Sequence, residues 1–441
     1  MDTKPRRIKL CDDVYLNVIR TDKFKTNFLT FFFLTDLTKR SASYCRLISR
    51  MLPRGTAKYP TARLLSRAFG DCYGASCDAF AIKHGESQGI CVSLSTLADK
   101  FSLDGKPIIS RAIDLATEMI FSPAVKDGGF DDKVLDGEKN NVKDAISAEI
   151  NNKGEYARKR MIQIMCENEA YSVNTLGYPD IIDEVNGKQL YEYYRAFLSG
   201  ARTEIYFAGI CDEALLESKL KTVFSSVERR PVKMSGTVII SDAERVKRVT
   251  EKMDMTQSHL VMGFRTGVTM DSPDFVPFML YNSVLGGSLT SKLFMNLREK
   301  MSLCYTVGSS PDGSKGIMRI YAGIDSRNSE KAINETFRQM KLIEDGEITD
   351  DEIKESKSAI INSLVGLGDN PGALAGWYLP RALCGDFDET PETLAAKVKA
   401  LEKKDVIACA RLVKTDTVYL LEGNEKENGA DIETEENDDQ L

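Results

Sequence analysis

Two stretches of this sequence carry side chains whose types and spacing bear on chemistry. The first is Ser41 to Leu52, where Leu47, Ile48, Met51 and Leu52 recur at i, i+1, i+4 and i+5. That spacing predicts an amphipathic helix with these four residues turned to a core, ended by Pro53 and Gly55. Arg46, Ser49 and Arg50 are expected on its other face. A guanidinium stays protonated and has no lone pair to give, so Arg46 and Arg50 cannot ligate a metal. Ser49 is no general base near neutral pH without help. Such a face reads either as an arginine-lined anion pocket or as a solvated, salt-bridged surface, the second being the commoner case.

The second stretch runs Leu285-Gly286-Gly287-Ser288, Ser291-Lys292-Leu293-Phe294, Leu297-Arg298-Glu299-Lys300, then Leu303 and Tyr305. Gly286-Gly287 lets the backbone turn tightly, and Ser288 is placed to cap a helix over Ser288 to Lys300. Arg298 then lies near that helix's end and Tyr305 one loop later on a strand. A charged fork and a phenol so placed can both donate hydrogen bonds to a peptide carbonyl. By spacing alone, the commoner case is that Arg298 pairs with a local acid and Tyr305 packs as an aromatic. Other chemistry is sparse. His84 and His259 are the two histidines, one in each half, and there is no P-loop and no evident Cys–His pair.

The elements that must hold these residues occur twice. An apolar strand at Phe28 to Leu34 precedes the helix at Ser41, a helix pattern over Thr61 to Phe69 and a strand beginning at Tyr73. In the second half, a strand at Leu260 to Phe264 precedes helix patterns at Pro273 to Leu285 and Ser288 to Lys300, then the strand of Tyr305. Tyr73 and Tyr305 lie 232 positions apart. Downstream, Gly89 to Leu94 matches Gly316 to Ile324, and Ala112 to Phe121 matches Lys331 to Ile343. The acidic helix starts at Asp131-Asp132 and Asp350-Asp351 also match. Each half closes on a helix and a strand ending at Ile210 and Leu421. Order and spacing sustained over so many elements predict a duplicated α+β domain. The halves are 1–226 and 237–423, joined by a linker at 227–236.

The run Met51-Leu52-Pro53-Arg54-Gly55-Thr56, with Tyr73-Gly74-Ala75 beyond it, resembles the N-terminal half of M16 (insulinase/mitochondrial-processing-peptidase-like) peptidases. The Gly286 to Tyr305 block resembles their C-terminal half. The resemblance spans roughly residues 10 to 423. It implies two LuxS/MPP-like domains in one chain, each a mixed, largely antiparallel sheet covered by helices. The family's inverted zinc motif, HxxEH, falls on Arg46, Leu47, Ile48, Ser49 and Arg50. Both ligand histidines are thus arginines, and the general-base glutamate is a serine. The third ligand, seven residues after a glutamate that matches Glu138 on a helix over Val134 to Ile150, falls on Ala145. The resemblance therefore implies no metal and no cofactor in this chain. It implies that Arg298 and Tyr305, with Gly286 and Gly287, contact a substrate peptide. The implied role is the non-catalytic subunit of a heterodimeric peptidase, whose partner is an M16 chain with intact HxxEH and zinc. The alternative is a scaffold or peptide-binding protein that does no proteolysis. Across the emptied site, Glu138 is the expected salt-bridge partner of Arg46 or Arg50.

Composition narrows the field further. At 42% hydrophobic and 28% charged over 441 residues, the chain is neither fibrous nor wholly disordered. The net charge of −7 lies entirely in 424–441, where eight acids face one lysine. The tail is expected to be a disordered solubilising end, and the neutral body has no footprint for nucleic acid. No run is long enough to span a membrane, and Met1 to Cys11 lacks the apolar core of a signal peptide. With ten scattered cysteines read as reduced thiols, the expected location is cytoplasmic.

Overall fold

The computed structural model describes residues 4–423, so the acidic tail lies outside the described residues. Two sheets form its frame. The first joins β1 (Arg6–Cys11), β2 (Val14–Arg20), β3 (Thr26–Asp36), β4 (Ser76–His84), β5 (Ser87–Leu97) and β6 (Arg202–Gly209) in the order β1-β2-β6-β3-β5-β4. The second joins β7 (Lys247–Lys252), β8 (Ser258–Arg265), β9 (Cys304–Asp312), β10 (Ile317–Ile324) and β11 (Lys414–Glu422) in the order β7-β11-β8-β10-β9. Without β1 the two orders coincide. The one parallel pair in each sheet, β2 with β6 and β7 with β11, falls at the same place. The remaining neighbours are antiparallel in both. The fold is therefore a duplicated mixed α/β domain. β1, β2 and β7 were not legible in the sequence, because their residues are charged and half-exposed or lack sustained alternation.

Each half lends a helix to the other. The helix Pro371–Cys384 crosses onto the first sheet, packing Leu374, Ala375, Tyr378 and Leu379 against Phe32, Leu34, Cys91 and Tyr206. Reciprocally, Lys153–Met165 packs Ala157, Met161 and Met165 against Val261, Tyr419 and Leu421 of the second sheet. Both faces of the central strands are thus buried. This explains the unbroken apolar run of β3: Leu29, Phe31 and Phe33 face the first half's own core, while Phe32 and Leu34 face the borrowed helix.

The equivalent hairpins of the two sheets meet at an ionic clasp. Lys315, fully buried on the β9–β10 turn, places Nζ 2.5 Å from Glu86 Oε1, 2.6 Å from Glu169 Oε2 and 2.6 Å from the Val238 carbonyl. Arg265 binds Glu169 at 2.7 Å and Asp416 at 2.9 Å. The expected linker belongs to a longer irregular run, 227–246, strapped to the first half by Ser235 on Asp36 and by Thr237 and Val238 on Glu86. Tyr73 does not begin a strand. It sits in a tight turn at φ 56°, and β4 starts three residues later.

Candidate functional site

The helix Lys39–Met51 is capped by Thr38 and Ser41, which bond each other's backbone N–H groups. Leu47, Ile48, Met51 and Leu52 are buried as their spacing predicts. Ser49 departs from expectation. It lies on the buried side at 1% exposure, with its hydroxyl donating back to the Arg46 carbonyl at 2.8 Å. Arg50 is exposed and donates through Nε to Glu138 at 2.9 Å. Glu138 is itself buried, with a side chain 3% exposed, so this is not the surface pair that the sequence suggests. Its other oxygen is taken by Arg54, a partner the sequence reading missed. The signal was present: Arg46, Arg50 and Arg54 recur every four residues. Pro53 does not end the helical path, which continues as a 3-10 turn over Leu52–Arg54. Ala145, seven residues after Glu138, falls on the same face of the helix Asp132–Ala148 two turns on and offers no donor.

These residues do not fit zinc. Two guanidiniums, an internally bonded hydroxyl and a methyl group supply no ligand set. Among the described residues, no three His, Cys, Asp or Glu side chains converge as a metal site would need. His84 stands at the end of β4 and His259 on β8, in different sheets. Burial pushes the imidazole pKa of both down, with Asp312 opposing at His84 and Arg158 adding at His259.

The Arg298 and Tyr305 region is built from three irregular pieces of backbone. Phe294–Lys300 winds as a π-helix, with the Met301 N–H reaching the Asn296 carbonyl five residues back at 3.0 Å. Ser302 then takes φ 51° to reverse the chain. On β9, Thr306 pairs with Gly323 and Cys304 with Ile324, so Tyr305 is the extra residue of a β-bulge on an edge strand. The bulge turns Tyr305 outward at 64% exposure, and its hydroxyl has no hydrogen bond among the described residues. It is not a packed aromatic. Arg298 is half-exposed, stacks over the Phe294 ring at 4.7 Å and reaches Glu299 only at 3.8 Å. The π-helix packs against β9, which brings the two side chains to one corner of the second domain, although no hydrogen bond joins them.

Gly286 and Gly287 serve this corner by making room rather than by a special φ, as neither has positive φ. A Cβ on Gly286 would stand 2.7 Å from Ser309 Oγ and 2.9 Å from Leu293. The Gly286 carbonyl accepts the Ser309 N–H of β9 at 2.9 Å, which ties the loop to the strand. Ser288 does not cap a helix. Its carbonyl accepts the Ser291 hydroxyl at 2.6 Å, and the helical run starts only at Lys292.

Residues 184–360 match the family model described as Peptidase M16 inactive domain. The chain is 29% identical over 409 residues to a protein of Bacillus subtilis (strain 168) named probable inactive metalloprotease YmfF, covering 93% of this chain and 96% of that one. It is 28% identical over 263 residues to uncharacterized zinc protease YmxG of the same organism, covering 58% of this chain and 60% of that protein. A crystal structure of a conserved protein from Enterococcus faecalis V583 superposes with a TM-score of 0.89 at 25% identity, covering 96% of this chain and all of the other. The M16 inactive domain protein of Pseudomonas fluorescens shares the fold at a TM-score of 0.78 and 17% identity, covering 95% of this chain and 98% of that one. With a Peptidase M16 inactive domain match over 184–360 and solved structures of the same fold across nearly the whole chain, this chain is similar to M16 peptidases, a probable inactive metalloprotease among them.

Proposed function

We propose that this chain is the substrate-binding, non-catalytic subunit of a heterodimeric M16 zinc peptidase, and that Arg298 and Tyr305 act on a peptide held at a zinc site of the partner chain. The observation that carries this reading is the backbone at that corner. A π-helix, a positive φ at Ser302 and a β-bulge at Tyr305 fall within a dozen residues and together leave a guanidinium and a phenol facing solvent. Such departures cost free energy and concentrate where side chains must be aimed. The residues' task would be to donate hydrogen bonds to the peptide and offset charge developing on its carbonyl oxygen. The partner, the peptide and a cytoplasmic location belong to this reading. Among the described residues no helix is long and apolar enough to cross a membrane.

Reconstitution with an M16 chain bearing intact HxxEH tests it. Donors aimed at a developing oxyanion are worth ~3–4 kcal/mol, so Arg298→Ala or Tyr305→Phe should lower turnover roughly a hundredfold to a thousandfold. Dimer formation and thermal stability should hold. Arg298→Lys should rescue only partly, because an ammonium lacks the planar fork. Full turnover in both Arg298→Ala and Tyr305→Phe would leave a scaffold as the better description.

A further inference from the structure

The emptied zinc motif is not electrically quiet. Arg46 is half-buried, its Nε is fully enclosed without a hydrogen-bond partner, and its side chain makes no ion pair among the described residues. The acid that acts on it, Glu149, is already engaged by Lys159 and by Asn174 Nδ2 at 2.8 Å. One turn on, Arg50 engages Glu138 through Nε alone, and Arg54 does so through Nη2 alone. Two guanidiniums therefore share the Glu138 carboxylate, Arg46 has none of its own, and the terminal nitrogens of Arg50 have no partner among the described residues. Burial and the charge of Arg50 both work against the charged form of Arg46. A half-buried guanidinium with its Nε enclosed and unbonded, beside a second cation, carries a cost that a bound anion would reduce.

We propose that Arg46 and the free end of Arg50 form an oxyanion-binding site, which takes either a carboxylate of a bound peptide or free phosphate. Planar forks one turn apart suit bidentate recognition of such groups. The position that would hold a cation in an M16 zinc site here holds an anion instead. The assignment stands apart from the roles given to Arg298 and Tyr305.

The test titrates the whole chain with inorganic phosphate, with chloride at matched ionic strength as the screening control. Thermal unfolding and calorimetry are the readouts. Phosphate should raise Tm saturably beyond chloride. Arg46→Met should abolish the shift while folding normally, since it removes an unpaired charge. Arg46→Lys, which keeps charge without the fork, should weaken binding by about tenfold. Arg298→Ala should titrate like the wild type. A second arm compares a short peptide bearing a free C-terminal carboxylate with its amide. Preference for the free acid identifies a peptide carboxylate as the ligand, and a phosphate response without that preference identifies a free anion. If phosphate matches chloride and acid matches amide, or if Arg46→Met titrates like the wild type, the site does not exist.

Discussion

Replacing Lys315 by methionine should uncouple the two halves of this molecule. Lys315 is fully buried between two carboxylates and a carbonyl. In Lys315→Met, Glu169 keeps both contacts to Arg265, at 2.7 and 3.1 Å. Glu86 keeps only the Val238 N–H at 3.2 Å. One buried carboxylate is therefore left nearly uncompensated, a loss of about 3–5 kcal/mol. Methionine fills most of the lysine volume, so the change reads charge rather than packing. The double variant Lys315→Met/Glu86→Gln removes the orphaned charge and should recover about 1–3 kcal/mol of that loss. Urea unfolding supplies the assay, followed by circular dichroism and by fluorescence of Trp377. This sole tryptophan stands on the helix that the second half lends to the first. The two probes should coincide in the wild type and separate in Lys315→Met, as the halves lose cooperativity. A loss below about 1 kcal/mol, or a double variant that is merely additive, would refute the clasp as a major source of cohesion.

The clasp also sets a pH dependence. Burial acts to raise the pKa of Glu169, but hydrogen bonds from Arg265 and Lys315 outweigh it, and the result is lowered. Asp312 is lowered too, where bonds from Ser314 and Tyr171 overcome burial. Both carboxylates thus add stability that is complete above their unfolded values, about 4–4.5, and lost as pH falls through the folded ones. Unfolding free energy measured from pH 7 downward should fall in two stages, first below about pH 6.5, where the unfolded chain's histidines take up protons that buried His84 and His259 resist, and again below about pH 4.5 as these carboxylates protonate, and stability that rises on acidification would contradict the assignment. Gly286→Ala should cost about 1–3 kcal/mol, because its Cβ collides with Ser309 and Leu293, and a neutral result in chemical denaturation would mean the corner is loosely packed. Dialysed protein analysed for metal should hold no stoichiometric zinc at Arg46, Ser49, Arg50 and Ala145. One zinc per chain, lost on mutating that helix, would overturn the donor argument.

The sequence by itself determined the duplication and the strands with apolar runs. Each of these rests on local residue type and periodicity, and local rules suffice there. The resemblance also pointed from Arg46 or Arg50 to Glu138, on the helix it gives to the third ligand, and it is Arg50 that makes the pair. Only the tertiary structure decided the rest. Ser49 changed faces, since a hydroxyl that bonds its own helix can be buried without another partner. β1, β2 and β7 arise from pairing with β2, β6 and β11, not from strand propensity of their own. The exchange of helices between halves is invisible to any local pattern, because each helix is apolar toward a surface that another part of the chain supplies. The bulge at Tyr305 depends on a register between β9 and β10 that no residue type announces. The loneliness of Arg46 is likewise a fact of three dimensions: Glu149, the acid that acts on it, is already held by Lys159 and Asn174.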